Sequence, residues 1–177
     1  REITIDYGTH PDKIYNYYSI LPDINSDSTV LHGWLSEYNG KERMYHPGKM
    51  FIPDKKATVT AITVKRSAHD GLTPETAVEL DPTKIYEIYA SEYKNHVNSF
   101  YFTLKTDKPI LIKFTFEDLL LNYNSQTLFD NMTATDRKSP IEYKPGTIFR
   151  ISPDNDVFDS RYSNANACKV SMSIEII

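Results

Sequence analysis

From Tyr86 onward, apolar side chains return at every second position: Tyr86, Ile88 and Ala90; Phe100, Phe102 and Leu104; Ile110, Ile112, Phe114 and Phe116; Ile148 and Arg150 against Phe149 and Ile151; Val170, Met172, Ile174 and Ile176. A period of two belongs to a strand with one buried face, so these runs predict five strands. Asp107-Lys108-Pro109, Lys144-Pro145-Gly146 and Ser152-Pro153-Asp154 divide them with turn-forming residues, which points to an antiparallel β-sandwich. Only Glu117 to Tyr123 reads as a short helix. Without a helical crossover of a dozen residues, a parallel sheet is not expected.

The first third of the chain has its own rhythm. Ile3, Ile5 and Tyr7 alternate with Glu2, Thr4 and Asp6, and Lys13 to Leu21 is a second extended run. The stretch from Val30 to Val64 is the firmest anchor, because it holds the single tryptophan and three of the six glycines. Asn39-Gly40 is a hairpin signal, since both residues tolerate positive φ. Met50-Phe51 and the alternating Thr58 to Val64 complete the unit. Trp34, Leu35, Phe51, Val59 and Ala61 are expected to form one small core, with Gly33 giving room beside the indole and Gly48 allowing a left-handed turn. A solvent-exposed Trp34 that stacks on a ligand is the alternative. Lys65 to Pro74 carries no apolar period and holds Gly and Pro breakers, so residues 1–66 and 67–177 are expected to be separate domains.

Charge and cysteine usage narrow the function classes. The net charge is −4, and the 20 Lys and Arg are scattered, so no basic face is expected to follow a phosphate backbone and nucleic acid is not an expected partner. The longest apolar runs, such as Leu119-Leu120-Leu121, are too short for a membrane span. Cys168 stands alone, which rules out an internal disulfide and suits a buried thiol leading into the last strand. Because the chain opens on Arg1, we expect a piece of a longer protein with neighbouring domains.

The ordered series Ile3-Thr4-Ile5-Asp6, Leu21-Pro22, Gly33-Trp34, Asn39-Gly40, Tyr45-His46-Pro47-Gly48 and Thr58-Val59-Thr60-Ala61 resembles the Listeria-Bacteroides repeat, a small β-grasp-like module of internalin B-repeats and other bacterial surface proteins. More loosely, Asp70 to Ala77, Asn98 to Leu104 and Pro145 to Ile151 are similar to the bacterial prepeptidase C-terminal type of sandwich. These resemblances imply a mainly β chain in which a β-grasp-like repeat module precedes an antiparallel β-sandwich, on a bacterial surface or secreted.

Few residues mark out chemistry. The five histidines stand singly, without the i, i+4 pair of a helical zinc site, and are expected at the surface or in turns. Cys168 has no nearby histidine to activate it, no nucleophile elbow or phosphate loop is present, and no pair of carboxylates is marked out, so an enzyme is not expected. Asp154, Asp156 and Asp159 around Asn155 form the one oxygen-rich cluster that could take calcium, the only cofactor in question. Side-chain capping of a turn explains the same residues. Among 13 tyrosines, Tyr17, Tyr18, Tyr38, Tyr93, Tyr123 and Tyr162 are candidates for a sugar-stacking or protein-binding surface. Trp34, Gly33, Gly48, Phe51, Phe100 and Phe102 are assigned to structure. The expectation is a non-catalytic adhesion or stalk segment whose partner is a host or matrix protein or glycan. The alternative is an accessory carbohydrate-binding domain of a secreted hydrolase.

Overall fold

A computed structural model describes residues 2–5, 19–20, 24, 26–38, 41–45, 50–51, 57–93, 96–121, 127–130, 140–153 and 165–177. The chain is mainly β and divides into two compact units, Arg1–Arg66 and Ser67–Ile177.

In the first unit the strands are β1 (Glu2–Ile5), β2 (Ser19–Ile20), β3 (Thr29–Tyr38), β4 (Lys41–Tyr45), β5 (Met50–Phe51) and β6 (Ala57–Lys65). β1, β6, β3 and β4 form an antiparallel sheet in that order, and β2 pairs with β5. The central strand β3 carries a bulge: Leu31 lies opposite Thr63 and Gly33 opposite Ile62, so His32 is the extra residue. Its consequence follows from parity. Leu31 and Trp34, three positions apart, both face odd-numbered residues of β6, Thr63 and Ala61, and therefore lie on one side of the sheet. Both are fully buried, as is Val59. Ala61, the small residue opposite Trp34, leaves space for the indole. Trp34 is thus core and not an exposed stacking ring, Leu35 is only half-buried, and Phe51 is placed by its pairing with Ser19.

The second unit begins with a locked loop. The Asp70 carboxylate accepts hydrogen bonds from the Ser67 and Leu72 amides at 3.0 and 2.9 Å. Thr73 and Thr76 cap a single 3-10 turn reciprocally over Pro74–Thr76. Gly71 joins the two features: its N–H donates to the Thr76 carbonyl and its carbonyl accepts from Tyr101 N–H, both at 2.8 Å. Gly71 has φ +73°, and a Cβ there would lie 2.9 Å from the Phe100 ring, so both backbone conformation and space demand glycine.

The strands that follow are β7 (Val78–Leu80), β8 (Tyr86–Tyr93), β9 (His96–Asn98), β10 (Phe100–Leu104), β11 (Ile110–Leu121), β12 (Thr127–Asp130), β13 (Ile141–Tyr143), β14 (Phe149–Pro153) and β15 (Ala165–Ile176). They form a four-stranded sheet ordered β12-β14-β10-β7 and a five-stranded sheet ordered β13-β11-β15-β8-β9. Leu80, Phe102, Leu104, Phe149 and Ile151 of the first and Ile88, Ala90, Ile112, Phe114, Tyr143, Val170 and Met172 of the second bury into one common core, the arrangement of a β-sandwich.

Two features differ from the sequence reading. β7 and β10 are parallel, because β8 and β9 cross to the other sheet between them and return the chain in its original direction. Glu117 to Leu121 is strand and not helix. In β11 Asp118 lies opposite Val170 and Leu120 opposite Lys169, which makes Leu119 a bulged extra residue. The bulge breaks the alternation and leaves three leucines in a row, a pattern that a period-of-two reading does not recognise.

A hydrogen-bonded tyrosine joins the sheets. Tyr143, on β13, receives the Leu104 amide at 3.2 Å and donates to the Leu104 carbonyl at 3.1 Å, while its ring stacks on Phe149. Tyr143→Phe keeps the ring and strands the buried amide, so unit 2 is expected to lose about 1–3 kcal/mol. Urea denaturation checks this, and a change below about 0.5 kcal/mol would show that the hydroxyl is not holding the sheets.

Candidate binding face

The outward side of the five-stranded sheet presents a regular surface. Alternation along β11, β15 and β8 sends Ile112, Phe114, Val170, Met172, Ile88 and Ala90 inward, so the residues between them point out. Across β11 and β15 the register sets Lys113 opposite Glu175, Thr115 opposite Ser173 and Glu117 opposite Ser171. Across β15 and β8 it sets Ser171 opposite Glu87 and Lys169 opposite Tyr89. The result is a field of hydroxyls and charges, with both signs interleaved. Lys169 Nζ lies 5.8 Å from the centroid of the Tyr89 ring, within the range of a cation–π contact. At one end Leu111 is exposed beside Ile177, whose N–H donates to the Leu111 carbonyl at 2.9 Å.

None of these outward residues was singled out from the sequence. The signal was present, because each is the polar partner in the alternation that located the strands. Reading that alternation for its buried half left the exposed half unused.

The tyrosines proposed from the sequence are only partly placed. Tyr38 ends β3 opposite Lys41, and Tyr93 ends β8 opposite Ala165 and His96. Tyr38 belongs to the first unit and Tyr93 to the second. Tyr17, Tyr18, Tyr123 and Tyr162 lie outside the described residues, as do Gly48 and the calcium candidates Asp154, Asp156 and Asp159. Gly33 is buried next to Trp34, Phe102 is fully buried, and Phe100 packs at the edge of the same core.

Several polar side chains elsewhere in the second unit serve turns. Asp81 Oδ1 accepts from the Thr83 hydroxyl at 2.7 Å and the Thr83 amide at 2.9 Å. These bonds from the Thr83 hydroxyl and amide, aided by Lys84 and Lys105, hold its carboxyl below the usual range. Among the described residues, no three His, Cys, Asp or Glu side chains come together to hold a metal ion. Among them, too, no helix is long and apolar enough to cross a membrane.

His32 departs from expectation. Instead of a surface or turn position it occupies the β3 bulge, 5% exposed, and its Nδ1 has no hydrogen-bond partner. Burial lowers its pKa from 6.5 to about 4, because a charged imidazolium cannot be solvated there. At neutral pH it is therefore a neutral imidazole. Isolated position alone could not reveal this; the bulge that buries it is set by pairing with β6.

Fold and face together define a mainly β protein of two compact units, the second a sandwich with a polar outer sheet. Comparison with protein-family models, curated proteins and solved structures found no match to this chain.

Proposed function

We propose that this chain is a non-catalytic segment of a bacterial surface or secreted protein, acting in adhesion through the outer face of its five-stranded sheet. The observation that carries this reading is the outward register on β11, β15 and β8, where Thr115, Glu117, Lys169, Ser171, Ser173 and Glu175 offer hydrogen-bond donors and acceptors on neighbouring strands of one sheet. Such a surface suits another polar protein surface, with interleaved charges giving orientation. The resemblance of residues 1–66 to a bacterial surface repeat agrees with that setting.

A carbohydrate-binding role is the second reading, and Tyr89 weighs against this face as its site. A stacking platform needs an open aromatic ring, and Lys169 already lies over Tyr89. A host or matrix protein is therefore the favoured partner.

The test is binding of the whole chain to immobilised extracellular-matrix proteins and to a glycan array, with Ser173→Trp as the probe of the face. Matrix binding weakened at least tenfold by the substitution, without competition by free sugars, is expected. Binding confined to glycans, or matrix binding indifferent to Ser173→Trp, would sink the assignment.

A further inference from the structure

The first unit contains a buried base at the bulge in the central strand of its sheet. β3 is flanked by β6 and β4, and its pairing with β6 is interrupted at His32. A bulge already forgoes regular ladder bonds at that point. The imidazole occupying it is buried and its Nδ1 is unpartnered, so a proton arriving at Nδ1 would find no acceptor among the described residues. Nor does the pairing supply a counter-charge. Thr63 and Ile62 of β6 flank the bulge, Lys65 lies opposite Thr29, and Arg43, Glu42 and Lys41 of β4 lie opposite Ser36, Glu37 and Tyr38. Glu2 of β1 lies opposite Thr60. Asp27 and Arg66, beyond the strands, are exposed.

We infer that the first unit carries a built-in acid release, in which proton uptake by His32 opens the β3–β6 pairing while the second unit keeps its fold. The sign follows from linkage. Above pH 6.5 the imidazole is neutral both folded and unfolded, and stability is unaffected. As pH falls from 6.5 toward about 4 the unfolded chain takes up a proton that the folded unit refuses, so unfolding gains roughly tenfold for each pH unit. An adhesion segment built this way would open its first unit more often in an acidified compartment than at neutral pH.

Trp34, the single tryptophan, lies two residues from His32, so its fluorescence reports this unit in the intact chain. Denaturant titrations between pH 7.5 and 5 should show the unfolding constant of the first unit rising roughly thirtyfold more in the wild type than in His32→Leu, because protonation of carboxylates is common to both. Should that variant not fold, ring NMR of the wild type decides: the His32 ring should stay neutral in the folded state down to pH 5. Equal pH dependence in the two chains, or a folded His32 that protonates near 6.5, would overturn the inference.

Discussion

Phe102→Ala is expected to cost the second unit about 3–5 kcal/mol, the usual range for removing a fully buried phenylalanine. Phe102 has no solvent exposure and meets three other rings of the aromatic core. Its ring stacks on Phe149 with centroids 5.3 Å apart, meets Phe114 edge-on at 6.0 Å and lies 5.9 Å from Phe100. Phe149 in turn meets Phe114 edge-on at 5.0 Å, so these rings brace one another across the two sheets. Truncation removes both the transferred area and the ring contacts, and β10, hydrogen-bonded to β14 and β7 on its two sides, has little freedom to collapse into the void. Against a total stability of about 5–15 kcal/mol, that loss is a large share. Urea denaturation of the purified variant measures it, and a cost under about 1 kcal/mol would mean that Phe102 is not central to the core.

Trp34→Ala should be as severe in energy and more severe in outcome, about 3–5 kcal/mol taken from a smaller unit with less stability to spare. The indole is fully buried in the unit's central strand, with Leu31 brought to the same side by the bulge and Ala61 opposite. Shrinking it leaves a cavity that Ala61 is too small to fill. The first unit is expected to be largely unfolded at 37 °C. Because the substitution also removes the tryptophan signal, amide hydrogen exchange over β3 and β6 is the suitable measurement. Protection there equal to the wild type would contradict the assignment of Trp34 to the core.

The strands whose apolar residues alternate without interruption were legible from sequence. Ile110 to Phe116 and Val170 to Ile174 read as strands because each second residue is buried by the facing sheet. The three-residue strands β7, β9 and β13 were not, since three residues hold barely one repeat of any period; their places are set by β10, β8 and β11, against which they pair. Bulges erased the pattern at Leu119 and altered it at His32, and both depend on long-range register that local sequence does not encode. Of the candidate face, the residues were legible as the polar half of the alternation, but their neighbourhood across strands was not, because it depends on register. Tyrosines attracted attention as large amphipathic rings, whereas the ordered face is built from Ser171, Ser173, Thr115 and their charged neighbours, ordinary residues given meaning by their shared side of one sheet.

The chain keeps two separate β interiors, one around Trp34 and one around Phe102. Hydrogen exchange of the wild type, Trp34→Ala and Phe102→Ala tests it in one measurement. Trp34→Ala should strip protection from β1, β3, β4 and β6 and spare β8, β11 and β15, and Phe102→Ala should do the reverse. If either substitution released amides throughout both groups of strands together, the chain would have one cooperative core and the account would be wrong.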